Sequence, residues 1–130
     1  MKKFKFSKLV RDKIVSGIKS VGNVPHYRVL NDTEYIEELV KKLAEESSEL
    51  TKSPAEDLLP EIADVQEIID NLLKALKITK ITLKIEQARK NKKAGSFKKK
   101  EYIDYVEANE NSEWFDYYQK NPEKYPEMDK

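Results

Sequence analysis

The sequence contains no cysteine and a single histidine, His26. The first absence excludes a disulfide scaffold, a thiolate zinc site and a thiol nucleophile. The second excludes a multi-histidine metal site and leaves only His26, in an expected loop, for any Ser-His-Asp arrangement. Three glycines in 130 residues leave no glycine-rich loop to cradle phosphate. No apolar run approaches the ~20 residues that span a bilayer. The basic start, Met1-Lys2-Lys3-Phe4-Lys5-Phe6-Ser7, lacks the apolar stretch of a signal peptide. The expectation is therefore a cytoplasmic protein with no membrane contact. Charge of one sign is also missing: 25 basic against 24 acidic residues leave a net charge of +1. Whole-molecule attraction to nucleic acid or to an anionic membrane is not expected.

What is present suits one domain of ordinary size, long enough to bury roughly two-thirds of its unfolded surface without a staple. Residues 8–20 carry Leu9/Val10, Ile14 and Ile18 at near-helical intervals, and Gly22-Asn23 marks a turn. Residues 24–30 read as extended, with Pro25 arguing against a central strand. A strong helix is expected from Asn31 or Asp32. Glu34 stands three residues after Asn31, as in a capping box, and Ile36, Leu39, Val40, Leu43 and Leu50 form an apolar stripe. Thr51-Lys52-Ser53-Pro54 ends it, and Ser53 and Pro54 suit the cap and first position of the next helix. That helix carries Leu58, Leu59, Ile62, Val65, Ile69, Leu72, Leu73 and Leu76, with Pro60 near its first turn. A third helix over 79–93 is less clean, because Ile78, Ile81, Leu83 and Ile85 also read as a strand. Gly95 suits its stop.

Chemistry concentrates in five acids: Glu45, Glu46 and Glu49 on the first strong helix, and Glu61 and Asp64 on the second. Spacings of three place Glu46 with Glu49, and Glu61 with Asp64, on one side of each helix. Glu46 lies on the rim of the apolar stripe and Glu49 just outside it; Glu61 flanks the second stripe and Asp64 lies further round. A short connection makes the helices antiparallel neighbours, so the pairs face each other near one end. Clustered carboxylates repel, and partial burial adds to the cost. A bound cation offsets both, and an all-oxygen donor set suits Mg²⁺, with Mn²⁺ as the alternative. Such an ion neutralises phosphate and polarises phosphorus, which points to hydrolysis of a phosphoanhydride. The competing reading is a solvated acidic face, common in a Glu-rich chain.

Glu45-Glu46-Ser47-Ser48-Glu49 followed by Glu61-Ile62-Ala63-Asp64 resembles the EExxE…ExxD signature of the MazG-like all-α nucleotide pyrophosphohydrolases. Leu9-Val10-Arg11-Asp12-Lys13-Ile14 resembles the K-L-V-R-D-K-I element of their phosphoribosyl-ATP pyrophosphohydrolase-like subgroup. Lys93-Ala94-Gly95-Ser96-Phe97 resembles its later R-G-[GS]-F element. The likeness covers about residues 7–107, within a single domain expected over residues 1–107. It implies an all-α helical hairpin or bundle; the broad apolar faces of such a hairpin need more helices than the chain supplies, so completion by homodimer or homotetramer formation is expected. It also implies Mg²⁺ dependence and cleavage of a nucleoside triphosphate, or phosphoribosyl-ATP, to the monophosphate and pyrophosphate. By motif position Glu46, Glu49, Glu61 and Asp64 would be metal ligands, with Glu46 or Glu49 as general base. Glu45, opposite the stripe, would support them or hold a second ion. The chain departs from the pattern twice: eleven residues separate the motifs, at the short edge, and Ala94 stands where Arg is common.

Arg11, Lys13, Lys90 and Lys93 are candidate phosphate contacts and Asn71 a candidate base or ribose contact. For Arg11 and Lys13, ion pairing with Asp12 or another helix is the alternative. For Asn71 it is an exposed helix face. The basic stretch 89–100 is either a phosphate contact, a solvated helix end or a nucleic-acid surface. Residues 108–130 form a tail holding Trp114, Phe115, Tyr117, Tyr118 and Tyr125, expected to dock on the domain or on a partner chain. A helical interaction module without enzymatic activity is the rival to the hydrolase reading.

Overall fold

The computed structural model describes residues 1–129. Among them the regular structure is entirely helical: α1 (Ile14–Ser20), α2 (Asp32–Lys52), α3 (Leu58–Ala75), α4 (Lys80–Ala94) and α5 (Glu113–Lys120), with a 3₁₀ turn at Ala55–Asp57. No helix is long and apolar enough to cross a membrane. The chain divides into two compact units, Met1–Lys92 and Lys93–Lys130.

The first unit is organised by α2 and α3, which pack along one another. The Asn31 side chain starts α2 by accepting a hydrogen bond from the Glu34 backbone N–H at 2.9 Å. The Glu34 carboxylate takes a two-pronged contact from Arg28, at 2.7 and 3.2 Å, and this contact, together with the Asn31 backbone N–H, holds its carboxyl below the usual range. Asn31→Ala is expected to cost about 1 kcal/mol of unfolding free energy, read by urea denaturation.

Ser53 does not cap the next helix. Its hydroxyl donates back to the Glu49 carbonyl at 3.1 Å and so closes the C-terminus of α2. The 3₁₀ turn then leads into α3, whose first residue is Leu58. Pro60 falls in the first turn, where its missing N–H leaves no helix bond unmade, so α3 needs no break there.

Leu39 and Ile68, one from each helix, are the only buried side chains among the described residues, at 4% and 7% exposure. Around them, half-buried Ile36, Leu43 and Leu50 on α2 and Leu58, Val65, Leu72 and Ala75 on α3 repeat at alternating steps of three and four. The broader stripes expected from sequence are narrower in fact: Val40, Leu59, Ile62 and Leu76 are exposed.

Helix α1 is shorter than the 8–20 pattern suggests. Leu9 and Val10 are half-buried in a non-helical segment that precedes it. Its C-terminus closes with Asn23 N–H on the Ile18 carbonyl and Gly22 N–H on the Lys19 carbonyl, and Gly22 takes the required positive φ of 82°. Lys77 adopts the same left-handed conformation after α3, at φ 58°. At α4 the helical reading holds and the strand reading does not: Thr79 accepts from the Thr82 N–H at 3.1 Å and Gly95 follows its end. Every residue of α4 is exposed, including Ile81, Leu83 and Ile85.

In the second unit, Ser112 caps α5 by accepting from the Phe115 N–H at 3.3 Å. Trp114, Tyr117, Tyr118 and Tyr125 pack on one another, with ring centroids 5.0–6.3 Å apart. The aromatic tail thus forms a local cluster of its own.

Candidate metal centre

The apolar seam of the hairpin is interrupted once on each helix. Glu46 comes seven residues after Leu39 on α2, and Glu61 seven residues before Ile68 on α3. On antiparallel helices both displacements run about 10 Å toward the connection. The two acids therefore occupy the same level, at positions where the repeat calls for apolar side chains. Asp64, one turn after Glu61, joins them. One carboxylate oxygen from each of Glu46, Glu61 and Asp64 lies within 4.8 Å of the others. All three residues are half-buried.

This placement is electrostatically costly. The Glu46 side chain is only 18% exposed. Burial first, then the negative charges of Asp64, Glu45 and Glu61, push its carboxyl above the usual range, against the opposing pull of Lys42. The Lys42 ammonium stands 4.0 Å from Glu46, one turn earlier on α2. Arg11 donates from Nη2 to Asp64 Oδ1 at 2.7 Å, and Lys8 lies 3.7 Å from Glu45.

The donor set fits a hard divalent cation: three carboxylates and no nitrogen or sulfur ligand.

Of the four acids expected at the site, three converge. Glu49 is exposed, and its side chain stands outside the group of three. Glu45 is exposed beside Glu46 and paired with Lys8. Of the expected substrate contacts, Arg11 reaches the centre, but as the partner of Asp64. Lys13 is exposed at the start of α1. Asn71 lies about 10 Å from Asp64 along α3. Its amide donates to the Glu67 carbonyl at 2.8 Å and Glu67 Oε1 at 3.0 Å, and its oxygen accepts from the Tyr35 hydroxyl at 3.5 Å. Lys90 is exposed on α4, where Arg89 pairs with Glu86 through Nε at 3.0 Å. Lys93 is exposed in the second unit.

Sequence reasoning passed over Lys8 and Lys42. Lys42 was accessible as the residue four before Glu46, a favourable helical pairing distance. Lys8 carried no local signal, because its partner is 37 residues away. Comparison of the chain with family models, with curated proteins and with solved structures finds no match.

Proposed function

We propose that this chain is a Mg²⁺-dependent nucleotide pyrophosphohydrolase, cleaving a nucleoside triphosphate or phosphoribosyl-ATP to the monophosphate and pyrophosphate. The observation that carries the reading is the convergence of Glu46, Glu61 and Asp64 within 4.8 Å, on a seam where apolar side chains would be more stable. A protein keeps such a cost where a ligand offsets it. The motif resemblance supplies the substrate class.

In this reading Glu46, Glu61 and Asp64 hold the ion, Mg²⁺ or in its place Mn²⁺. When bound, it neutralises the phosphates and polarises the phosphorus under attack. Glu49, exposed and one turn from Glu46, is placed to face solvent. It takes the proton from the attacking water as general base, a role that needs access to water more than a place among the ligands. Glu45, held by Lys8, adds negative charge beside Glu46. Lys13 and Lys90 bind substrate phosphate, and Asn71 contacts the base or ribose after exchanging its internal partners.

The apolar side chains of α4 favour a homodimer or homotetramer: Ile81 and Ile85 are 73% and 66% exposed. In this reading the protein works on nucleotides in the cytoplasm.

The test is a panel of nucleoside triphosphates and phosphoribosyl-ATP with Mg²⁺, assayed for pyrophosphate release. Turnover on at least one substrate, abolished by a chelator, is expected. No turnover on any of them would favour an interaction module presenting the aromatic cluster of α5. Binding to nucleic acid that weakens steeply with salt would favour a role for residues 89–100 on phosphate backbones.

A further inference from the structure

We propose that Arg11 is the resident counter-cation of the acidic centre, so that its guanidinium and a divalent ion are alternative partners of Asp64. The inference rests on the reading of Glu46, Glu61 and Asp64 as a cation centre. Arg11 comes from a non-helical segment 53 residues away from Asp64, yet donates to its Oδ1 at 2.7 Å. Lys8 anchors the same segment to α2 through Glu45, and Leu9 and Val10 between them are half-buried. The segment is thus tied to both helices of the hairpin, and its guanidinium rests on one of the three converging carboxylates.

A dication held by Asp64 would lie within a few ångströms of that guanidinium, where like charges repel strongly. Arginine cannot relieve the conflict by losing its proton. Movement can relieve it. The Arg11 side chain is 59% exposed and that of Asp64 40%, so the guanidinium can turn into solvent without unpacking the core. A pair this exposed contributes little stability, so a strongly bound ion displaces it readily. Once free, the guanidinium presents its planar fork to any phosphate held at the ion.

The test is Mn²⁺ titration of the full chain by calorimetry at low ionic strength, for wild type, Arg11→Gln, Arg11→Lys and Asp64→Asn. The expected result is about five- to tenfold tighter Mn²⁺ binding by Arg11→Gln, with the gain shrinking as salt is added. Arg11→Lys, which keeps the charge, should stay within about twofold of wild type, showing that charge and not packing sets the change. Weaker or unchanged binding by Arg11→Gln, in a chain where Asp64→Asn still loses Mn²⁺, overturns this inference alone. Mn²⁺ binding that is absent throughout, or equal in wild type and Asp64→Asn, overturns the cation centre and this inference with it.

Discussion

Glu61→Gln is expected to weaken Mn²⁺ binding by at least about tenfold and to lower turnover by about 100-fold or more, whereas Glu49→Gln should separate the two effects. Glu61 occupies the seam opposite Glu46, and removing its charge takes away one of three converging donors. Gln keeps the shape and one oxygen, so the helices retain their packing and the loss reports on charge. Glu49 lies outside the converging group and is exposed. Glu49→Gln should therefore bind Mn²⁺ within about twofold of wild type while losing about 100-fold or more in kcat, the range expected for loss of a general base. Calorimetric titration and steady-state pyrophosphate release on the same preparations check both. A parallel loss of Mn²⁺ binding in Glu49→Gln would instead make Glu49 a ligand. Unchanged turnover in Glu61→Gln would remove the basis of the catalytic reading.

Glu46→Gln should make the metal-free protein more stable at neutral pH while abolishing its cation binding. Burial and the neighbouring acids raise the Glu46 carboxyl above the ordinary range in the folded state. The folded chain then holds this proton at pH values where the unfolded chain has released it. Stability contributed by the group is complete below the ordinary carboxylate pKa and is lost as pH rises through the raised, folded value. Above that raised value wild type carries the penalty of a charged Glu46, which Gln does not. The loss of the Lys42 partner, 4.0 Å away, offsets only a little of this. A rise in melting temperature of about 2–4 °C at pH 7 is expected, vanishing in acid below the ordinary carboxylate range. Added Mn²⁺ should reverse the order, stabilising wild type and leaving the variant unmoved. A Glu46→Gln protein that is helical but melts no higher than wild type at pH 7 would show that the seam carboxylate imposes no cost.

Helices are where sequence reasoning reached furthest. The cap at Asn31, the end of α2 before Ser53, the turn at Gly22 and the stop at Gly95 all depend on groups within a few residues of one another. The width of the apolar stripes did not follow in the same way. Val40, Leu59 and Ile62 share the periodicity of their neighbours, but one partner helix covers only a narrow strip of each surface. Ile68 is buried on that strip, although the adjacent Ile69 satisfies the broader pattern equally well.

The same limit applies at the centre. Spacing along each helix identified the acidic residues, since neighbours three and four apart share a side whatever the fold. It placed Glu46 and Glu61 on the edges of their stripes, whereas the seam runs through both. That distinction depends on the rotation of each helix about its axis, which is set by the partner.

By itself, then, the sequence determined an all-helical chain, a hairpin of two amphipathic helices, and a set of acids near its closed end. These follow from short-range periodicity, capping and chain connectivity. Only the tertiary structure decided that Glu46, Glu61 and Asp64 meet while Glu49 faces solvent, that Arg11 rests on Asp64, and that Asn71 is engaged by Glu67 and Tyr35. Those outcomes depend on interhelical register and on ion pairs between distant segments, where a single residue's shift along a helix turns a side chain by about 100°.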